Sequence, residues 1–185
     1  MPNRMSKQTK SSIIASFFEL LQVMPYSKLT IKGISQNAGI SRRTFYRFFK
    51  SKEDLLQDYF DNLLNDYLTT LKKYEPRDFE NFIKLFFDFW KGNMNQLKLL
   101  EQRDLLTNML SIYNKKIPQL YESFPMVWHL KTSNNKEIAV ATWFIVGGLW
   151  NVFVGCLAND STYDDYNLAK VINNTIFRWE SMIDF

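Results

Sequence analysis

Five residues in one short stretch have the chemistry to read a nucleic-acid duplex: Arg42, Arg43, Thr44, Tyr46 and Arg47. A guanidinium can pair bidentately with guanine, and a threonine methyl can touch the methyl of thymine. Phe45, Phe48 and Phe49 interleave with them. On a helix, that order places cationic and polar groups on one face and rings largely on the other. Such a rod suits a major groove about 12 Å wide.

The flanking residues supply what would position it. Thr30 can N-cap a short helix in which Ile31, Ile34 and Ala38 face inward. Gly39 stands where a left-handed C-cap is wanted, and Ile40 plugs the turn. Ser41 caps the next helix, from Arg42 to about Phe49. Two short helices around a glycine turn, the second rich in arginine, form a helix-turn-helix. Upstream, Ile13, Ile14, Phe17, Leu20, Leu21 and Met24 make one apolar stripe of a helix over 7–24, ended by Pro25. Downstream, Ser51 and Asp54 form a capping box that opens a longer helix carrying Leu55, Leu56, Tyr59, Leu63, Leu64, Tyr67, Leu68 and Leu71.

Charge is divided along the chain. Residues 1–52 hold ten Lys or Arg against one acid, Glu19, a net of +9. The rest holds thirteen basic and eighteen acidic residues, a net of −5. A polyanion partner for the first part alone follows, although a solvated positive face has the same composition.

The segment from Leu29 to Leu56 resembles the DNA-binding signature of TetR-type regulators. The resemblance rests on Ala38–Gly39 before the turn, on Thr44, Phe45, Tyr46 and Phe49 in the recognition helix, and on Lys50, Ser51, Lys52, Glu53 and Leu55 after it. It implies an all-α, TetR-like fold: a three-helix DNA-binding domain over 1–52, and a helical-bundle effector-binding and dimerisation domain over 53–185. It implies phosphate contacts from Thr30, Ser41, Tyr46 and Lys52, which position without reading sequence. Arg42, Arg43 and Thr44 are the expected base contacts, and Arg47 can do either. For Tyr46 the other reading is a half-buried core ring; Phe45 and Phe49 read as core. Two residues depart from the pattern: Ser35 stands where the family has alanine, and Arg43 where a small residue is usual.

Beyond Pro76, helices are expected near 78–91, 94–100, 103–116 and 118–124, then over 134–157 and 164–183. Residues 138–157 carry no charge and could span a bilayer by length. Asn151 within the run, and the lack of basic clusters beyond its ends, favour a buried bundle helix. Ala141, Gly148 and Gly155 recur every seven residues, a stripe that lets a second helix approach, with Trp143 and Trp150 framing it. In TetR-type regulators the last two long helices dimerise, so this stripe is the expected homodimer interface. A two-fold dimer reads two half-sites.

The middle of the chain is rich in rings. Phe86, Phe89, Trp90, Met109, Tyr113, Trp128, His129 and Trp143 are candidates for an effector pocket, with packed core as the plainer reading. His129 can orient a ligand or satisfy a backbone carbonyl. Cys156 and His129 are the only residues of their types, which leaves no disulfide within the chain and no Cys/His zinc site. No Gly-rich phosphate loop or nucleophile elbow is present. The expectation is a non-enzymatic cytoplasmic regulator without cofactor or metal, binding double-stranded DNA, itself and an unknown small molecule. Repression is the leading reading; activation, or a partner protein in place of the effector, stays open.

Overall fold

The computed structural model describes residues 4–126, 128–158 and 165–178. Among them every regular element is helical: α1 (Arg4–Val23), α2 (Ile31–Asn37), α3 (Arg42–Tyr46), α4 (Lys52–Tyr74), α5 (Phe79–Lys91), α6 (Met94–Glu101), α7 (Leu106–Leu120), α8 (Asn135–Ala158) and α9 (Asp165–Arg178), with short 3-10 turns at Tyr26–Lys28 and Tyr121–Ser123. The described residues form two compact units, Met1–Leu64 and Asn65–Phe185. The first includes the opening turns of α4, because Leu55, Leu56, Phe60, Leu63 and Leu64 are all buried.

In the first unit α1 presents Ile13, Phe17, Phe18 and Leu21 to a core shared with Ile34, Phe45 and Phe49. Phe18 lies off the expected stripe and is buried because Tyr59 meets it edge-on, 4.8 Å between ring centroids. Burial pushes the Tyr59 phenol up to about 12. Gly39 takes φ +64°, Gly39 N–H donates to Gln36 O, and Ile40 N–H donates to Ser35 O. These two bonds close α2 with a Schellman motif, which a left-handed glycine makes possible. α3 is shorter than expected: after Tyr46 the amides of Arg47 and Phe48 bond three residues back, which tightens the last turn.

In the second unit α5 packs on α9, and α7 on α8; α6 also touches α7 and α8. Trp90, 1% exposed, sits at the centre. Among the described residues six rings surround it, from Phe89 at 5.0 Å and Tyr67 at 5.8 Å to Trp150 at 6.3 Å, with Phe86, Tyr113 and Phe153 between them. Two expected helices, 103–116 and 118–124, are instead one helix that carries Pro118 inside it. Asp104 at φ +57° delays its start to Leu106. A proline lacks the N–H that would pair with the carbonyl four residues earlier. That carbonyl, Asn114 O, accepts from Trp143 Nε1 on α8 at 2.9 Å, so the helix continues past the break.

α8 is long and apolar enough to cross a membrane by length and composition. One side of it, with Ile138, Thr142, Leu149, Trp150, Phe153 and Leu157, is buried in the second unit. The expected segment 164–183 ends outside the described residues, which here reach Arg178.

Candidate nucleic-acid interface

The geometry of α3 begins with its caps. Ser41 Oγ accepts from Thr44 N–H at 3.0 Å, and Thr30 Oγ1 accepts from Gly33 N–H at 3.1 Å. Each hydroxyl so used keeps its own O–H to donate; Ser41 Oγ also lies 3.0 Å from Thr44 Oγ1. Both caps are exposed at the starts of their helices. Phe45, fully buried, anchors α3, and Phe49 follows it into the core at 5.7 Å. With that side fixed, the helical period turns Arg42, Arg43, Tyr46 and Arg47 to one outer face. All four are exposed, Tyr46 by 56%, although its ring still meets the edge of Phe45 at 5.9 Å. Thr44 is half-buried at the margin of this face.

Ser51 Oγ accepts from Asp54 N–H at 3.1 Å, as a capping box requires, but the Asp54 carboxylate reaches back to Lys50 N–H, one residue before the cap. Lys52, expected at a phosphate, has its ammonium hydrogen-bonded within the protein. Nζ donates to Tyr26 O at 2.7 Å and Leu29 O at 3.2 Å, and lies 4.2 Å from the centre of the Tyr26 ring. Tyr26 Oη donates to Glu53 Oε1 at 3.0 Å. Burial, that hydrogen bond and the Glu53 charge all hold the Tyr26 phenol well above its ordinary value. No sequence signal pairs Tyr26 with residues so far along the chain. Lys10 is likewise engaged, with Asp58 at 2.7 Å and over the Phe49 ring.

The second-unit candidates fall into separate places. Phe86, Phe89, Trp90 and Tyr113 come together in the Trp90 cluster, and Met109 is fully buried. Tyr67 Oη and Trp90 Nε1 are buried in that cluster without hydrogen-bond partners. Trp128 packs instead on Phe79 and Phe82. His129 stacks on Tyr121 at 4.0 Å and 14° between planes; burial holds its imidazole below the usual value. Trp143 is half-exposed on α8, held by Asn114 O.

The small-residue stripe is open. Gly148 and Gly155 are exposed and Ala141 half-buried. A Cβ built on Gly148 or Gly155 would meet nothing within 4 Å. Both glycines line a cleft of about 590 Å³ between α8 and α9, with Phe144, Val152, Val171 and Thr175. Trp150, expected to frame the stripe, is buried against Trp90.

Among the described residues every element is helical, and the N-terminal unit presents an arginine-rich second helix after a glycine turn, the geometry of a helix-turn-helix. Residues 13–59 match the model of the bacterial regulatory proteins of the tetR family. It is 37% identical over 62 residues to DhaS of Lactococcus lactis, the dhaKLM operon transcriptional activator, covering 31% of this chain and 33% of that protein. It is 24% identical over 143 residues to the transcriptional regulator AlkX of Mycobacterium tuberculosis, covering 70% and 68%. The matched part thus spans about a third of DhaS. In solved structures the fold resembles DhaS, with TM-score 0.59 at 17% identity over 94% of this chain and 97% of that one. It also resembles FadR of Bacillus subtilis in complex with stearoyl-CoA, with TM-score 0.56 at 19% identity over 88% and 94%.

Proposed function

We propose that the protein is a cytoplasmic transcriptional repressor that binds operator DNA as a homodimer and is released by a small-molecule effector. The observation that carries this reading is the exposed face of α3, with Arg42, Arg43, Tyr46 and Arg47 outward over the buried Phe45. Arg42, Arg43 and Thr44 read bases, Arg47 reads a base or a phosphate, and Thr30, Ser41 and Tyr46 hold phosphates. Two copies joined through α8 and α9 supply two α3 helices, one for each half-site of the operator. The open glycines and the exposed Val140, Phe144 and Val171 support that joint.

The effector site in this reading is the Trp90 cluster. Two buried donors without acceptors, Tyr67 Oη–H and Trp90 Nε1–H, favour an apolar ligand carrying an acceptor oxygen. Such a ligand lowers operator affinity only by its preference for the released state. The name of DhaS favours a second reading, the same fold acting as an activator; a reporter that falls on deleting this gene would select it.

The test is fluorescence anisotropy on a duplex selected by the protein from a random-sequence pool. Each bidentate arginine–guanine pair contributes about 1–3 kcal/mol. The double variant Arg42→Ala, Arg43→Ala is therefore expected to lose about 5- to 150-fold per guanine pair and to relax the base preference. Unchanged affinity and preference in a folded variant overturn the reading.

A further inference from the structure

Lys52 is the first residue of α4, and Leu29 immediately precedes Thr30, the N-cap of α2. The bonds from Lys52 Nζ to Tyr26 O and Leu29 O therefore tie the start of α2 to the start of α4. Everything between these ends is the helix-turn-helix itself: α2, the Gly39 turn and α3. The neighbouring Tyr26 Oη to Glu53 Oε1 bond clasps the same two ends, and the ammonium lies against the Tyr26 ring. A lysine at a helix N-terminus faces the positive end of the helix dipole, which is unfavourable unless other groups offset it. Two carbonyl oxygens and a ring face do so here. Two of the three ammonium donors are spent inside the protein.

We infer that Lys52 is a positioning residue for DNA binding: it closes the helix-turn-helix at its base, and so sets how α3 is presented, rather than neutralising a phosphate. This rests on the DNA-binding reading above. Phosphate contacts and positioning residues differ in salt dependence. Losing one phosphate contact flattens the plot of log affinity against log salt by about 0.9. Losing a positioning residue lowers affinity and leaves that slope in place.

The experiment uses the full chain and the selected duplex, with affinity measured from low to moderate salt. Lys52→Met keeps the aliphatic stem and removes the ammonium; Arg47→Met, at an exposed cation, is the comparison. The expected result is at least a tenfold loss for folded Lys52→Met at unchanged slope, partly restored by Lys52→Arg. A loss accompanied by a slope reduced by about 0.9 makes Lys52 a phosphate contact and overturns the proposal. Unchanged affinity in a folded variant makes the clasp purely structural and also overturns it. If Lys52→Met does not fold, Lys52→Gln, which removes the charge and keeps a donor for the two carbonyls, carries the test: the slope stays in place, and a slope reduced by about 0.9 overturns the proposal. A wild-type protein without DNA affinity defeats the parent reading, and this one with it.

Discussion

Ser35 and His129 show how one atom changes a side chain's role. Ser35 is 1% exposed, and its hydroxyl has no hydrogen-bond partner. A buried unpaired polar group is destabilising by about 1–3 kcal/mol. Ser35→Ala, the residue usual in the resembled family, is therefore expected to stabilise the first unit by about 1 kcal/mol in denaturant unfolding. A loss of stability would show an unrecognised partner for the hydroxyl. His129 has the opposite problem, a charge the fold resists. Burial lowers its affinity for a proton, while the unfolded chain takes one near 6.5. The unfolded state then binds more protons as pH falls through that value, so His129 withdraws stability on acidification until the folded group itself titrates. His129→Phe, which keeps a ring on Tyr121, is expected to flatten the pH dependence of the melting temperature between pH 7.5 and 5. Identical slopes for both proteins would remove His129 from the account.

At the scale of elements, the caps and breaks decide which helices form. Thr30, Ser41, Ser51 and Asp78 each accept from an amide of the first turn that follows, so four helix starts stand where their residue types suggest. Pro118 behaves differently because tertiary structure answers it. Trp143→Phe removes the donor to Asn114 O and is expected to cost about 1 kcal/mol. In a Pro118→Ala background the restored amide can take that carbonyl, so the same substitution should cost less. A double-mutant cycle with no coupling would refute this exchange of partners.

For the whole molecule, the open side of α8 and α9 carries the dimer proposal. A Cβ added at 148 meets no atom within 4 Å, and the cleft beside it has room for a larger side chain. Replacing a helical glycine also gains about 1 kcal/mol of helix propensity. Gly148→Leu is thus expected to leave the monomer as stable or more so, while weakening dimerisation at least tenfold in analytical ultracentrifugation. An intact dimer would move the interface away from this stripe. DNA affinity of the same variant should fall with dimer content, because one copy reaches one half-site.

Local rules made much of this protein legible from its amino-acid order. The glycine turn, the serine and threonine caps, Phe45 and Phe49 inward and the arginines outward all follow from contacts within a few residues, and each stands so in the fold. Distant pairings were not legible, because nothing local encodes them. Lys52 against Tyr26 and Leu29, Trp143 against Asn114, and the rings gathered on Trp90 join residues brought near only by packing. Trp143 and Trp150 share a seven-residue spacing, yet one is half-exposed and the other buried. An α-helix turns 3.6 residues per revolution, so a seven-residue step drifts about 20° around it. Where α6 and α7 lie against α8 decided which indole entered the core.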